Sequence, residues 1–218
     1  MNGNTALDIV MERLVRSDAA LRVSLLREMN NLIHNRLEQG TFVPWFLLQD
    51  NLSAVLVPDT ETVVMPTGFL RFDDDGEVGG VWVEDTALTT PDQWVQLTRQ
   101  SYNAMKVRFA SYETATPTHF DSLTTKLYFR PIPDVALSLR IMAYFADDDV
   151  ADAASTTLWL TNAADLVIAE TALVGASIYT RDSNLVPILA EERKLCLDRL
   201  RTMHIAFQEA LQNRVMEG

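Results

Sequence analysis

Helix-type and strand-type hydrophobic patterns occupy separate parts of this chain of 218 residues. Apolar residues recur every three or four positions near both ends, whereas short β-branched and aromatic runs, interrupted by proline and glycine, fill the middle. Such segregation is typical of an α+β fold and disfavours a parallel sheet with alternating helices. We therefore predict a mainly α-helical bundle formed by the N- and C-terminal helices, residues 1–50 and 151–218, with an inserted antiparallel β-rich domain, residues 51–150.

The N-terminal segment is predicted to form two helices. Thr5 is the expected N-cap of the first, Ser17 or Asp18 caps the second, and Gly40 is a stop signal after it. The apolar face of the second helix consists of Leu21, Leu25, Met29, Leu32 and Leu37. Its other face is mainly polar and carries Arg22, Arg27, Glu28, Asn35 and Glu38.

The C-terminal third is predicted to form another pair of helices. The first begins at Thr161 or Asn162, continues to about Tyr179 and is apolar nearly all round, so we expect it to be buried on every side. The second runs from Leu185 to Asn213, with an apolar stripe that includes Cys196. In the first helix a stripe of small residues, which favours close packing either within the chain or against another copy, contains Ala169, Ala172, Gly175 and Ala176.

The middle of the chain is predicted to be rich in strands. Four runs between residues 51 and 85 indicate an antiparallel meander, and TTPDQWVQLTRQ, with Pro91 in its first turn, indicates a short helix. The segment 101–121 has no clear pattern. A hairpin is expected around RPIPD, and alternation in its second strand predicts one buried face formed by Leu137, Leu139, Ile141, Ala143 and Phe145.

Composition and charge narrow the classes of function. The chain carries 30 acidic and 18 basic residues, a formal charge of −12, which disfavours a surface that grips DNA phosphates. A single cysteine excludes an intramolecular disulfide and fits a reducing cytoplasm. The N-terminus lacks the pattern of a signal peptide, and no apolar run has the length of a membrane helix, so we expect a protein made in the cytoplasm with no membrane partner.

No pattern in the sequence points to a catalytic, cofactor-binding or metal-binding residue. His34, His119 and His204 lie on three different predicted elements, so a zinc site would require the fold to bring them together. The acidic run FDDDGEVGG does not fit a calcium loop, because Arg71 and Trp82 would occupy ligand positions. The run Asp147–Asp152 also fails, since it lacks the central glycine, although a weaker cation site remains an alternative.

The cysteine and the four tryptophans also have structural interpretations. Cys196 lies on the apolar stripe of a helix and is expected to be a small core residue rather than a nucleophile. The tryptophans are expected to anchor the core or an interface. They are Trp45, Trp82, Trp94 and Trp159.

Three stretches together carry a resemblance to a known family. The helix pair that ends at Gly40 continues into TFVPWFLLQDNLSAVLVPDTETVVMPTGFLRF, with a proline, Pro66, before the next strand. A strand, Pro-x-Pro and strand arrangement follows in KLYFRPIPDVALSLRIMAYF. A capped apolar helix and a long charged helix close the chain in LWLTNAADLVIAETALVGASIYTRDSNLVPILAEERKLCLDRLRTM. This order of elements resembles the head-to-tail adaptor, or connector, proteins of tailed bacteriophages, especially short-tailed ones.

The resemblance implies a structural virion protein without catalysis or a cofactor. Such adaptors form a ring, commonly of twelve copies, beneath the portal protein at the head–tail junction. The ring completes the DNA exit channel, through which double-stranded DNA passes without sequence recognition, and provides a docking surface for tail or nozzle proteins. We expect the acidic charge to line that channel and to repel DNA.

Two alternatives remain at the level of sequence. One is another ring-forming phage structural protein, such as a tail-tube, tail-terminator or head-completion protein. The other belongs to a different class: a small soluble enzyme or ligand-binding module whose site has no recognisable motif. A deep pocket with convergent polar groups would favour the second alternative.

Overall fold

A computed structural model of the chain describes five segments of backbone, and it describes side chains as far as residue 210. The segments are residues 1–40, 42–52, 54–72, 80–84 and 94–216. Within them, no helix combines the length and the hydropathy that a membrane span requires. The predicted acidic loop at residues 73–79, and the Thr90 and Pro91 that were expected to start a helix, lie outside the described residues.

The described residues form six α-helices and ten strands. The helices are α1 (Gly3–Arg13), α2 (Ala19–Leu32), α3 (Tyr102–Arg108), α4 (Leu158–Asn162), α5 (Ala164–Val174) and α6 (Leu185–Met216). Helices α2 and α5 continue into π-helical turns at Ile33–Leu37 and Gly175–Thr180, and a 3₁₀ turn spans Trp45–Leu47. The strands are β1 (Leu48–Asn51), β2 (Val55–Leu56), β3 (Thr62–Val64), β4 (Phe69–Arg71), β5 (Gly80–Glu84), β6 (Trp94–Gln96), β7 (Thr98–Arg99), β8 (His119–Leu123), β9 (Lys126–Arg130) and β10 (Leu137–Phe145).

The chain divides into two compact units. One consists of Met1–Leu47 together with Ala146–Gly218, and the other is the continuous segment Leu48–Phe145 between them. All helices except α3 belong to the first unit, here called the helical unit, and all strands belong to the second, here called the β unit. The predicted α+β class is confirmed, with helices from both ends of the chain and an inserted β-rich segment.

Side-chain caps fix the starts of the first two helices. The Asn2 side chain accepts a hydrogen bond from the Thr5 backbone N–H at 2.9 Å, so Asn2 caps α1 and the prediction of Thr5 is wrong. The Asp18 carboxylate accepts from the Ala20 N–H at 2.8 Å, which confirms Asp18 as the cap of α2. Both caps satisfy backbone donors that have no partner within the first helical turn.

Helix α5 is the centre of the helical unit, because it packs against α1, α2 and α6. Ala169, Ala172 and Ala176 are fully buried there. A Cβ atom on Gly175 would lie 2.5 Å from a methyl carbon of Leu14 and 3.1 Å from one of Leu25. The stripe of small residues therefore serves packing within the chain, and it leaves no surface there for a second copy.

The ends of the C-terminal helices differ from the prediction. The helix expected to be capped by Thr161 or Asn162 begins slightly later, as α5 with Ala163 at its N-cap and no side-chain cap, and the separate helix α4 precedes it. Thr157 caps α4 by accepting a hydrogen bond from the Leu160 N–H. The π-helical turn after α5 leaves Ile178 largely exposed, so burial on every side holds only for α5 itself.

One sheet of the β unit is organised around β10. Strands β1 and β2 pair with one edge of β10, β4 and β5 pair with the other edge, and β6 pairs with β5. The early strands therefore pair with a late strand rather than with each other, and the predicted meander is wrong. The predicted inward face of β10 is confirmed, because alternate residues from Leu137 to Phe145 are buried in the core of the unit.

The second sheet has the order β3–β9–β8–β7, in which β7 and β8 are parallel and the other pairs antiparallel. The sequence Trp94–Gln96, predicted as part of a helix, is strand β6. The segment 101–121, which had no prediction, contains α3 and the start of β8. Since β9 and β10 belong to different sheets, the Pro-x-Pro segment connects two sheets and the predicted hairpin is wrong.

We predict that Gly175→Ala destabilises the protein by about 1–3 kcal/mol. The new methyl group would overlap Leu14, which outweighs the gain of up to about 1 kcal/mol from better helix propensity. Urea denaturation measures the change in unfolding free energy. Ser177→Ala, at an exposed position two residues away, is the control and should change it by less than about 0.5 kcal/mol. Equal stabilities of Gly175→Ala and the wild type would contradict the packing described for α5.

Candidate functional site

The carboxylate of Glu38 connects three segments of the helical unit, although the residue is only 3% exposed. One oxygen accepts hydrogen bonds from the Trp159 indole at 3.1 Å and from the Asp147 backbone N–H at 3.0 Å. The other oxygen lies 2.8 Å from Nδ1 of His34. Glu38 therefore joins the end of the N-terminal helix pair to the segment that returns from the β unit and to α4.

Sequence reasoning placed Glu38 on the outer, polar face of its helix, which is wrong. The Glu38 N–H donates to the Ile33 carbonyl at 2.9 Å, a step of five residues that defines a π-helical turn. The extra residue changes the helical phase by about 100° and moves Glu38 off the solvent side. The signal that could have found it is the spacing of His34 and Glu38, four residues apart, which pairs side chains on a helix.

His34 lies between two carboxylates. Its Nδ1 faces Glu38 and its Nε2 is 2.8 Å from Asp149. Ionised carboxylates only accept hydrogen bonds, so both ring nitrogens must donate and the ring is an imidazolium. Burial lowers the pKa of His34, but the hydrogen bonds and charges of Glu38 and Asp149 together raise it above the ordinary value.

The acidic segment Asp147–Asp152 is fixed by separate partners rather than gathered around one point. The Asp147 carboxylate accepts a hydrogen bond from the backbone N–H of Trp159 at 2.8 Å. The Asp152 carboxylate instead accepts one from the Arg22 guanidinium at 2.8 Å. The hydrogen bond to Arg22 lowers the pKa of Asp152. Among the residues that the structure describes, no three His, Cys, Asp or Glu side chains are arranged to hold a metal ion.

A second buried carboxylate belongs to Glu170 of α5, within the helix that was expected to be apolar all round. It forms a short ion pair with Arg193 of α6, and Nη1 of Arg36 lies 3.6 Å away. The pair links α5 to α6, and Arg36 extends the link to the π-helical turn after α2. Unlike Glu38, this carboxylate has one oxygen, Oε2, that is buried without a hydrogen-bond partner among the described residues.

The other two histidines lie far along the chain from His34 and have different surroundings. In the β unit, Nε2 of His119 is 3.0 Å from an Arg108 nitrogen, which must donate, so the histidine accepts there and is neutral. Burial, and secondly the charge of Arg108, lower the pKa of His119. In α6, His204 is buried, with its ring 4.9 Å from the edge of Phe42.

The β unit also contains a buried ion pair. Arg130 is 4% exposed and forms a short hydrogen bond with Glu61, and it donates a second one to the Ser111 carbonyl at 3.3 Å. The Tyr102 hydroxyl donates to Glu61 at 3.1 Å. These contacts hold α3 and the segment after it against the smaller sheet, which accounts for the order of a region that showed no sequence pattern.

Cys196 is half-buried and lines a groove of about 190 Å³ beside the start of α5. Burial, followed by the charges of Asp165 and Glu192, raises the pKa of its thiol. A thiol with a raised pKa stays protonated near neutral pH and is a poor nucleophile. Of the four tryptophans, Trp159 is fully buried and belongs to the core, as the sequence suggested.

Large apolar side chains at the surface contrast with these engaged polar groups. In the β unit, Val107 and Tyr112 are 90% and 92% exposed. In the helical unit the exposed apolar side chains include Val15, Val23, Ile178, Ile188, Leu195 and Ile205. No protein-family profile matches the chain, and no match was found among curated proteins. The features of the described surface that stand out are therefore these exposed apolar side chains.

We predict that Glu38→Ala destabilises the protein by about 3 kcal/mol or more. The change leaves the Trp159 indole and the Asp147 N–H without their acceptor and removes the carboxylate that faces His34. Urea denaturation measures the loss. Glu12→Ala, at an exposed position of α1, is the matched control and should have an effect below about 0.5 kcal/mol. Equal effects of the two variants would show that Glu38 does not hold these segments together.

The imidazolium of His34 predicts a pH dependence of stability. Its folded pKa lies above its unfolded value, so its contribution is fully present below about pH 6.5 and is lost as the pH rises through the folded pKa. We therefore expect the difference in unfolding free energy between the wild type and His34→Gln to be largest at mildly acidic pH and to shrink at alkaline pH. Denaturation curves across this range measure it, and a difference that grows with pH would contradict the assignment.

Proposed function

We propose that this chain is a structural virion protein, a bacteriophage head-to-tail adaptor that forms a ring under the portal protein. The ring completes the DNA exit channel and gives tail proteins a surface on which to dock. The observation that carries the proposal is the combination of exposed large apolar side chains with titratable groups that are used up in internal contacts. A protein of this kind acts by shape and contact, not by chemistry.

The helical unit has the features that a ring subunit requires. Helices from both ends of the chain share one core around α5, and buried carboxylates tie them together at Glu38 and Glu170. Such a unit holds its outer surfaces in fixed positions, so the ordering of surface segments costs little when copies associate. The resemblance of the order of elements to phage adaptors supports the same function.

The exposed apolar side chains support assembly with other proteins. Scattered single apolar residues are ordinary on a surface, but three of those in the helical unit, Ile188, Leu195 and Ile205, share the outer side of α6, and those of the β unit include two that are almost fully exposed. The acidic chain, with a formal charge of −12, would line a channel through which DNA passes without being held.

The proposal is tested in particles of the virus that encodes the chain. We expect an antibody against this protein to label the head–tail junction in electron micrographs, and cross-linking to join it to the portal protein. Particles assembled without this protein should be heads that lack tails and that either still contain DNA or leak it. Labelling along the tail, with sixfold rings, would instead favour a tail-tube protein. Absence from particles would reject a virion function altogether.

A further inference from the structure

The outer face of α6 carries a regular stripe that its own chain leaves uncovered. The stripe lies opposite the face that contains the buried Leu189 and Leu200, and its members recur at intervals of three and four residues. It contains Ile188, Glu191, Leu195, Asp198, Thr202 and Ile205. This spacing keeps the six residues on one side of the helix, where three apolar side chains, Ile188, Leu195 and Ile205, are interspersed with polar ones. At 1.5 Å per residue the stripe is about 25 Å long.

A groove on the outer face of α2 has complementary properties. It has a volume of about 490 Å³, and its lining includes Val23, Leu26, Arg27 and His34. Val23 is 68% exposed. Arg27 makes only a loose contact with Glu28, at 3.8 Å, and the His34 ring beside it is an imidazolium paired with Asp149. The lining also includes Asn30, Asn31, Asn35 and the carboxylate of Asp149, so the groove is mixed in character and carries one loosely held cation, Arg27. The stripe on α6 combines three apolar residues with two carboxylates, of which that of Asp198 lies 3.7 Å from Arg201.

The two faces lie on different sides of the same rigid unit. Helix α5 contacts both α2 and α6, and each of these helices buries the face that is turned towards the core. Val23 and Arg27 lie on the side of α2 opposite its buried residues, of which Leu25 is one. An attachment that joins two different faces is heterologous, and repetition of it produces a closed ring or a filament.

We propose that the stripe on α6 of one copy packs into the groove on α2 of the next copy, with Arg27 opposite the carboxylates of Glu191 and Asp198. The partner is a second copy of this chain, since each face exposes large apolar side chains and Arg27 on one face is complementary in charge to Glu191 and Asp198 on the other. The inference rests on the proposed function in one respect, because only a ring-forming subunit needs two different faces for self-contact. It adds the faces and the residues through which the ring closes.

Cysteine cross-linking tests the contact. In a Cys196→Ser background, which removes the single native cysteine, Val23→Cys and Leu195→Cys are introduced in separate chains. Both positions are well exposed, so both variants should fold like the wild type by circular dichroism. When the two variants are mixed and mildly oxidised, we expect the fraction of disulfides that join position 23 to position 195 to exceed the fraction that random pairing would give. Predominant homodimers, or no disulfides at high concentration, would overturn the contact.

Charge reversal provides a second measurement. We expect Arg27→Glu to lower the yield of the 23–195 disulfide about fivefold or more, and Glu191→Arg on the partner copy to restore at least part of it, because the charges are then exchanged. Lys126→Glu, an exposed reversal in the β unit, is the matched control and should leave the yield unchanged. If the yield of the 23–195 disulfide is the same with Arg27→Glu as without it, the proposed pairing is wrong.

The same variants separate this inference from the proposed function. A 23–195 disulfide in purified protein, together with absence of the protein from virions, would keep the contact and reject the adaptor function. The opposite result has two parts: the antibody labels the head–tail junction, but particles whose chains carry both cysteines form no 23–195 disulfide. This result would keep the adaptor function and reject the contact. When both are correct, the disulfides in particles should link the copies into a continuous ladder on a non-reducing gel.

Discussion

The burial of α5 against helices from both ends of the chain is the constraint on which the helical unit depends. A segment of about one hundred residues leaves this unit after Leu47 and returns at Ala146, so the two helical parts are held together by packing and by contacts such as the hydrogen bonds of Glu38 and the ion pair of Arg22 with Asp152. Alanines and Gly175 along α5 allow α1 and α2 to approach closely. Close approach increases dispersion contacts, and it makes the unit intolerant of even one added methyl group.

Two buried carboxylates add direction to this packing. Apolar contacts are non-directional, whereas Glu38 and Glu170 each require donors from particular segments. A carboxylate without those donors would carry the full cost of desolvation, so alternative arrangements of the helices are penalised. These groups were not identifiable as a site from the sequence. Glu38 enters the core only because of a π-helical turn, and Glu170 occupies a helix in which most of the other residues are apolar.

The buried polar groups described above bind partners within their own unit, whereas large apolar side chains such as Val107 and Tyr112 are exposed. The histidines have defined but different protonation states: His34 is charged between two carboxylates, and His119 is neutral beside an arginine. Both states arise from neighbours within the same unit, and Nδ1 of His119 also lies 2.8 Å from the Thr118 hydroxyl. This distribution of buried polar and exposed apolar groups is what assembly by shape requires, and it links the proposed ring to the proposed contact between α2 and α6.

The sequence by itself determined the class of fold and the faces of its longest elements. The helices at both ends, the buried nature of α5, the Asp18 cap and the inward face of β10 all follow from local periodicity and local hydrogen bonding, which a short stretch of residues specifies. Only the tertiary structure decided which strands pair and which polar groups are buried. Strand pairing joins residues that are far apart in the chain, so a meander and a hairpin were predicted where β10 collects early strands. The burial of Glu38 and the strand at Trp94–Gln96 likewise depend on partners contributed by distant segments.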